Sequence, residues 1–199
     1  MKVIGITGPT GAGKTTALNA LTALGGEIID ADAVYHELTE TSAPLRQELT
    51  ARFGSVYQDG HLERKKLGAV VFQDPLALEA LNAITHKYIN AAVSQRIAQA
   101  REEGRSAAAI DAIALLEGAL RDFCDCTVAV VAPEEVRVRR IMAREGISED
   151  YARLRVQAQK SSAWFAQHCD YTLENTEADS AQDFALRAKE LFQRIIAQG

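Results

Sequence analysis

Cysteine is scarce in this sequence, which has only Cys124, Cys126 and Cys169 among its 199 residues. An odd number of cysteines without a paired spacing argues against a disulfide framework and favours reduced thiols in a cytoplasmic protein. The C-x₂₋₄-C spacing of structural zinc sites is also missing. We therefore expect these thiols to be ordinary core or surface side chains.

Long apolar runs and an excess of basic residues are missing as well. No apolar run is long enough to span a membrane, and Met1-Lys2 leads directly into the first apolar run, without a signal-peptide layout. The net charge of −5 argues against nucleic-acid binding as the main role. We expect a cytoplasmic protein with no nucleic-acid partner and no membrane. The hydrophobic share of 47% suffices for one sizeable core, so a single domain over 1–199 is the default.

One strong motif is present, a phosphate-binding P-loop. Residues 8–15 read G-P-T-G-A-G-K-T and match the pattern G-x-x-x-x-G-K-S/T. The apolar run 3–6 precedes it, and Leu18, Leu21 and Leu24 follow at helical spacing. The loop therefore joins a strand to a helix, as a P-loop must.

The residue types in this loop suit a nucleotide triphosphate. Glycines let the backbone form a nest of N–H groups, and the following helix adds unpaired N–H groups and the positive end of its dipole. Lys14 would place a charge at the β- and γ-phosphates, and the Thr15 hydroxyl is placed to bind Mg²⁺. The predicted ATP-binding residues are Gly8, Gly11, Ala12, Gly13, Lys14, Thr15 and Thr16. A glycine-rich turn that binds nothing is disfavoured, because strand, loop, lysine, threonine and helix are all in place.

Apolar runs between helical stretches predict the fold. Strands are predicted at 3–6, 27–30, 107–111, 127–132 and 171–174. Runs that are apolar along their whole length are typical of buried parallel strands in βαβ units. We predict an α/β, three-layer P-loop NTPase fold with a parallel five-stranded sheet.

Residues 43–104 contain no predicted strand and read as helices. The predicted helices are 45–53, 64–71 and 75–103, and a break of the last one near His86 is left open. They would form a helical lobe beside the sheet. A packing helix is predicted over 180–198, with its apolar residues on one face.

Carboxylates at strand ends are the next candidates, because open parallel sheets bind ligands there. Asp32 follows the second strand, and a carboxylate there can accept the proton of an attacking hydroxyl as a general base. The alternative for Asp32 is a helix N-cap, whereas Asp30 is predicted to be a strand-end or capping residue. Asp111 resembles a Walker B aspartate, which reaches Mg²⁺ through water. Its alternative role is that of a polar strand terminus.

Basic residues are concentrated between 137 and 160. Arg137, Arg140 and Arg144 share one face of a predicted helix. A helical hairpin that carries arginines can close over ATP and stabilise the charge of the transferring phosphoryl group. We predict functional roles for Arg140 and Arg144, and a solvated charged face for Arg137 and Arg139.

Further short segments follow the P-loop in a characteristic order. They read I-I-D-A-D at 28–32, D-G-H-L-E-R-K-K-L at 59–67 continuing to V-F at 71–72, L-N-A-I-T-H at 81–86, R-I-M-A-R at 140–144 with the run that ends at Gln159, and E-N at 174–175. In this order and at these spacings, the sequence resembles the dephospho-CoA kinase family from residue 1 to about 175.

The resemblance implies a reaction and a set of residue roles. ATP, with Mg²⁺, would phosphorylate the ribose 3′-hydroxyl of dephospho-CoA and give coenzyme A and ADP. Asp32 would be the base, Arg64 and His86 would lie on the acceptor side in the helical lobe, and Arg140 would come from the lid. The predicted catalytic residues are thus Lys14, Asp32, Arg140 and Arg144, the substrate-binding residues are Asp32, Arg64 and His86, and the metal-binding residues are Thr15 and, through water, Asp111.

The predicted division of the single domain follows from these roles. The core is 1–42, 105–135 and 168–199, the acceptor lobe is about 43–104, and the arginine-bearing lid is about 136–167. We expect a monomer or a weak oligomer.

Two positions depart from the family pattern, and three other functions remain open. Lys87 stands where the family often has proline after the histidine, and Ile113 replaces the proline of its D-x-P-L-L-F-E segment. The alternatives are another P-loop nucleoside or nucleotide kinase, a P-loop ATPase or GTPase, and a non-catalytic nucleotide-binding module. A guanine-specific N-K-x-D segment is missing, which counts against a GTPase.

Overall fold

The computed structural model describes residues 1–198. Contacts divide the chain into two compact units. We call the first, formed by Met1–Ile29 and the chain from Ile97 onward, the sheet unit, and the second, Asp30–Arg96, the helical unit. Within residues 1–198, no helix is both long and apolar enough to cross a membrane.

Both units contain strands and helices, numbered here in chain order. The strands are β1 (Lys2–Thr7), β2 (Glu27–Asp30), β3 (Tyr57–Gln58), β4 (His61–Leu62), β5 (Ala107–Asp111), β6 (Cys126–Val131) and β7 (Tyr171–Glu174). The helices are α1 (Lys14–Thr22), α2 (Ala31–Thr41), α3 (Ala43–Phe53), α4 (Arg64–Val71), α5 (Pro75–Glu102), α6 (Glu134–Glu145), α7 (Glu149–Gln157), α8 (Ser162–His168) and α9 (Ala181–Ala197). Short 3₁₀ turns lie at Leu115–Glu117 and Ala119–Phe123.

The predicted five-stranded sheet is confirmed. Its strand order is β2-β5-β1-β6-β7. The central strand β1 pairs in parallel with β5 on one side and β6 on the other, and β6 pairs in parallel with β7. Because parallel strands point the same way, the loops that follow β1 and β5 leave the sheet at the same edge.

Helices cover both faces of this sheet. Successive residues of a strand point to opposite faces, and β6 shows the consequence. Val128 and Val130 belong to the core formed with α1 and α9, whereas Ala129 and Val131 pack with Phe165 of α8. The sheet unit therefore has the three layers that the sequence predicts.

The helical unit has its own small core, contributed by α3, α4, the start of α5 and the β3–β4 hairpin. The buried members are Leu45, Leu49, Val56, Leu62, Leu67, Val71 and Ala77. The prediction of helices alone in this region is wrong at β3 and β4, which pair antiparallel. Asp59 and Gly60 connect them with φ angles of 51° and 88°, the positive values that a tight Asp-Gly hairpin turn requires.

Helix α5 runs without a break past His86. A proline in a helix interior would remove a backbone hydrogen bond and clash with the preceding turn. Lys87 keeps its N–H, and its Nζ lies 2.6 Å from Glu48 Oε1 on α3. The departure from the family pattern at this position is therefore compatible with a continuous helix and adds an ion pair.

Candidate active site

The P-loop connects the end of β1 to the start of α1, and its backbone leaves no room for side chains at its glycines. Gly13 caps α1 in a left-handed conformation, with a φ of 102°. A Cβ at Gly13 would lie 2.3 Å from Asn175 Nδ2, and a Cβ at Gly8 would lie 2.0 Å from the Val130 carbonyl oxygen. Both glycines are therefore required by space as well as by backbone conformation.

Lys14 and Asp111 meet at the edge of the sheet where this loop lies. Lys14 is the first residue of α1, Asp111 is the last residue of β5, and Asp111 stands in register with Ile6 of β1. The Lys14 Nζ lies 2.6 Å from Asp111 Oδ1, and the two side chains are 21% and 13% exposed. The structure thus brings together two residues that the sequence predicted for the phosphate and metal site.

The Thr15 hydroxyl and the Asp111 carboxylate are oxygen donors of the kind that a hard divalent cation prefers. The Thr15 side chain is on an exposed residue in the first turn of α1, and Asp111 is half-buried. Within residues 1–198, no group of three or more histidine, cysteine, aspartate or glutamate side chains is arranged to hold a metal ion. A hydroxyl and a carboxylate suit Mg²⁺, which is usually held by one or two protein oxygens together with substrate phosphates and water.

Arg140 of α6 contacts the P-loop backbone. Its Nη1 donates to the carbonyl oxygens of Gly11, at 3.3 Å, and Ala12, at 3.5 Å, while its Nη2 donates to Asn175 Oδ1 at 3.0 Å. Asn175 is 5% exposed, and its Nδ2 donates to the Ala12 carbonyl at 3.0 Å. The predicted site residue Arg140 therefore lies at the loop, and Asn175 joins it there.

Arg137 is not on a solvated face, so that prediction is wrong. Arg137 is only 2% exposed. Its Nε donates to the Thr10 carbonyl at 2.9 Å, and its Nη2 donates to Gln159 Oε1 at 3.1 Å. Helical spacing gives the face of α6 correctly, but the P-loop packs against that face at Arg137. Arg139 is exposed, as predicted, and pairs with Glu177 at 2.6 Å.

Arg144 lies on the last turn of α6. Its Nη2 is 2.6 Å from Glu145 Oε1, and its side chain is 59% exposed. The structure thus places this arginine in a surface ion pair, whereas Arg140 contacts the P-loop. A catalytic role for Arg144 stays a prediction.

In the helical unit, Asp30 rather than Asp32 caps α2. Asp30 Oδ1 accepts hydrogen bonds from the backbone N–H groups of Asp32, at 2.9 Å, and Ala33, at 3.0 Å. The capping role predicted for Asp30 is confirmed, and the capping alternative for Asp32 is wrong. Asp32 is exposed in the first turn of the helix, so its carboxylate is accessible for another role.

Two further polar side chains lie with Asp32 in the helical unit. His36 follows Asp32 by four residues on α2 and therefore shares its face. Its Nδ1 is 2.7 Å from Nη2 of Arg64, the first residue of α4. Because a guanidinium only donates, this ring nitrogen accepts, and the proton of a neutral His36 ring is on Nε2. His86, the other predicted acceptor-side residue, is exposed on α5.

The cysteines behave as the sequence predicts. Burial raises the pKa of the Cys124 thiol to about 12, which keeps it protonated. Burial also raises the pKa of Cys126 and of Cys169. Raised pKa values disfavour the reactive thiolate, so these side chains serve as packing groups.

Comparisons with known proteins assign the family. The dephospho-CoA kinase family model matches residues 2–180. This chain belongs to the dephospho-CoA kinase family. A dephospho-CoA kinase from Corynebacterium jeikeium is 38% identical to it over 177 residues, which cover 88% of this chain and 91% of that protein.

Solved structures show the same fold. The crystal structure of a Thermus thermophilus protein, TT1252, superposes with a TM-score of 0.81 at 28% identity, covering 98% of this chain and 97% of that one. A dephospho-CoA kinase from Campylobacter jejuni superposes with a TM-score of 0.71 at 24% identity, covering 98% of each chain. The predicted P-loop kinase fold is confirmed.

Sequence reasoning missed four residues that the structure adds to these two regions. They are Thr10, Gln159 and Arg137 at the P-loop, and His36 beside Arg64. His36 carries a signal in its helical spacing from Asp32. Arg137 carries one in the helical face that it shares with Arg140 and Arg144, and Gln159 ends the segment that resembles the family's lid. Gln159 is 149 residues from its partner Thr10, a separation that no local pattern spans.

Proposed function

We propose that this protein transfers the γ-phosphoryl group of ATP to the 3′-hydroxyl of the ribose in dephospho-CoA, giving coenzyme A and ADP. Membership of the dephospho-CoA kinase family supports the substrates. The structural observation that carries the proposal is the P-loop with Lys14 Nζ 2.6 Å from Asp111 Oδ1. This arrangement supplies cationic and metal-binding groups at one sheet edge, which phosphoryl transfer from a nucleotide requires.

The P-loop residues bind the triphosphate of ATP in this proposal. Backbone N–H groups from Gly11 to Thr16 and the N-terminus of α1 face the phosphate oxygens. Lys14 exchanges its partner Asp111 for the β- and γ-phosphates. Arg140, which the Gly11 and Ala12 carbonyls and Asn175 hold in place, stabilises the negative charge on the transferring group.

A divalent cation accompanies ATP in kinases of this kind, and we propose Mg²⁺. The Thr15 hydroxyl would bind it directly, and the Asp111 carboxylate would bind it through water. When bound, the cation neutralises charge on the phosphate oxygens as the bond to the leaving group breaks.

The helical unit provides the acceptor side. Asp32 accepts the proton of the ribose 3′-hydroxyl as its oxygen forms the new bond to phosphorus, while the bond between the γ-phosphorus and the bridging oxygen breaks and ADP leaves. Arg64, oriented by His36, and His86 bind the acceptor. Asp32, His36 and Arg64 support this role because they form one exposed polar surface within the helical unit.

A direct assay tests the proposal. Purified protein is incubated with Mg-ATP and dephospho-CoA, and in parallel with adenosine, AMP and other hydroxyl acceptors, and the products are identified by mass. We expect coenzyme A and ADP from the first reaction and little product from the others. Preferred phosphorylation of adenosine or AMP would indicate a different P-loop kinase, and ATP binding without transfer to any acceptor would indicate a non-catalytic nucleotide-binding module.

A further inference from the structure

Thr10, in the middle of the P-loop, is bound through every polar group it has. Its N–H donates to Gln159 Oε1 at 3.0 Å, and its hydroxyl accepts from Gln159 Nε2 at 2.9 Å. Its carbonyl accepts from Arg137 Nε at 2.9 Å, and Arg137 Nη2 donates to the same Gln159 oxygen at 3.1 Å. We call these three residues the Thr10 network. It is a closed ring of hydrogen bonds between the P-loop and the predicted lid.

The charge in this network is buried and has neutral partners. Arg137 is 2% exposed, and the oxygens that accept from it are a carbonyl and an amide. Burying a charge is unfavourable unless it is hydrogen-bonded, so the network makes the buried position of Arg137 tolerable. The backbone of Arg137 also lies against the loop, because a Cβ at Gly11 would be 2.9 Å from the Arg137 carbonyl oxygen.

The network connects two ends of the predicted lid to the same P-loop residue. Arg137 is in the first turn of α6, and Gln159 follows α7. Between these ends, α6 and α7 pack on each other through a separate core of Val138, Ile141, Ala152 and Val156. Because this hairpin has its own core, loss of the network should alter how it meets the P-loop more than whether it folds.

We propose that Arg137 and Gln159 are positioning residues for nucleotide binding. They fix the backbone of Thr10, so that the phosphate-binding N–H groups begin at Gly11, and they set the position of Arg140 one turn further along α6. They touch neither phosphate nor acceptor. The inference rests on the proposed ATP site, and it predicts a defect selective for the nucleotide.

The test uses the full chain and three variants, Thr10→Val, Gln159→Met and the double variant. Thr10→Val keeps the side-chain shape and removes one hydrogen bond. ATP affinity is measured by calorimetric titration without any acceptor, and KM and kcat are then measured for ATP and dephospho-CoA. We expect each single variant to weaken ATP binding about three- to tenfold, as loss of a partly buried hydrogen bond does. The ATP affinity of the double variant should lie within about twofold of that of the single variant that binds ATP less tightly, because both changes break the same contact.

Two more variants separate positioning from general stability. Arg137→Lys keeps a charge that can reach one acceptor and should retain more ATP affinity than Arg137→Met. Arg139→Met removes a charge from the same helix but only a surface ion pair, and should leave ATP affinity and melting temperature within experimental error. Unchanged ATP affinity in both Thr10→Val and Gln159→Met would overturn the inference. So would fully additive effects, or an equal rise of KM for ATP and dephospho-CoA.

The outcome is separable from that of the proposed function. ATP affinity is measured in the absence of acceptor, so it responds to the Thr10 network even if dephospho-CoA proves to be the wrong acceptor. If the unaltered protein binds ATP and phosphorylates nothing, the proposed function fails while the variants still test the network. If a variant melts at a lower temperature, its titration is repeated below that temperature, where an unchanged affinity still counts against the inference.

Discussion

The two units each contain a lysine–carboxylate pair with the same separation and very different surroundings. Lys14 and Asp111 in the sheet unit, and Lys87 and Glu48 in the helical unit, are both 2.6 Å apart. The first pair is 21% and 13% exposed, and the second is 62% and 39% exposed. Distance alone therefore does not distinguish the pair at the proposed site from a surface pair. Burial and position at the sheet edge do.

The arginines repeat this contrast. In the sheet unit, Arg137 and Arg140 donate to P-loop carbonyls and to amide side chains that are themselves held. In the helical unit, Arg64 is exposed and its Nη2 lies against His36. Groups that are already oriented stabilise developing charge without rearranging during the reaction. On the nucleotide side of the proposed site, backbone carbonyls thus hold the arginines in place, whereas the acceptor side consists of exposed side chains.

Removal of the two lysines gives the sharpest test of this contrast. We expect Lys14→Met to lower kcat/KM for ATP by more than about a hundredfold, because a cation at the transferring phosphate is lost. Lys87→Met should change kcat/KM less than about threefold, since an exposed pair contributes little. Steady-state kinetics with ATP as the varied substrate measures both. Similar losses from the two variants would contradict the assignment of Lys14.

Asp32 tests the acceptor side. We expect Asp32→Asn to lower kcat by about a hundredfold, because the amide cannot accept the proton of the attacking hydroxyl. ATP affinity, measured by titration, should change less than twofold, since Asp32 is proposed to contact the acceptor hydroxyl rather than the nucleotide. Asp30→Asn is a matched control, because asparagine also caps helices well. Near-normal turnover of Asp32→Asn would remove the base assignment.

Two arginines of α6 should differ, although the sequence predicts functional roles for both. Arg140→Met should lower kcat/KM for ATP by about ten- to a hundredfold, since a hydrogen-bonded charge at the P-loop is lost. Arg144→Met should have a smaller effect on kcat/KM for ATP. If Arg144 acts in catalysis, this variant should lower turnover more than it lowers the melting temperature. Kinetics and thermal unfolding of both variants measure this. A lowered melting temperature of Arg144→Met with unchanged turnover would make it a surface residue only.

The sequence predicts the parts of this molecule that local patterns encode. The P-loop, the strand that ends at Asp111 and a helix that starts at Pro75 all follow from motif and periodicity, although the sequence leaves open whether that helix continues past His86. The sequence also places Arg137, Arg140 and Arg144 on one helical face correctly. It does not tell which end of that face is covered by the P-loop, because that depends on a contact between Gly11 and Arg137 across the fold.

Short elements and distant pairs escape prediction for similar reasons. The strands β3 and β4 have two residues each, too few for an alternating pattern to appear, although the Asp59-Gly60 turn signal is present. Two aspartates near the start of α2 could each cap the helix, and only the backbone geometry selects Asp30. The contact between Thr10 and Gln159 depends on the whole lid segment folding back to the loop.

The smallest expected difference between the two units is in how one carboxylate of each contributes to stability at acidic pH. Burial by itself raises the pKa of Asp170 in the sheet unit, but hydrogen bonds from the Thr127 hydroxyl and backbone N–H, with the Arg121 charge, outweigh it, so the pKa is lowered. In the helical unit, hydrogen bonds from Lys87 and then Tyr88 lower the pKa of Glu48. A carboxyl group whose pKa is lower in the folded state stabilises the fold above its unfolded pKa of about 4 and loses that contribution as pH falls through the folded pKa.

Two amide variants compare these carboxylates in unfolding experiments. Asp170→Asn should lower the free energy of unfolding at pH 7 by less than about 1 kcal/mol, because the side chain is 48% exposed and solvent screens its interactions. This difference from the unaltered protein should shrink as the pH falls from about 4 towards 2. Glu48→Gln should have a smaller effect that salt reduces, since Glu48 and its charged partner Lys87 are 39% and 62% exposed. Asp170→Asn should not change KM for ATP, because Thr127, the partner of Asp170, lies near the start of β6, away from the strand end that carries the P-loop. Glu48→Gln should not change it either, because the side-chain partners of Glu48 are Lys87 and Tyr88 and not P-loop residues. A stability difference for Asp170→Asn that stays constant down to pH 2 would show that its ionised form contributes nothing to the fold.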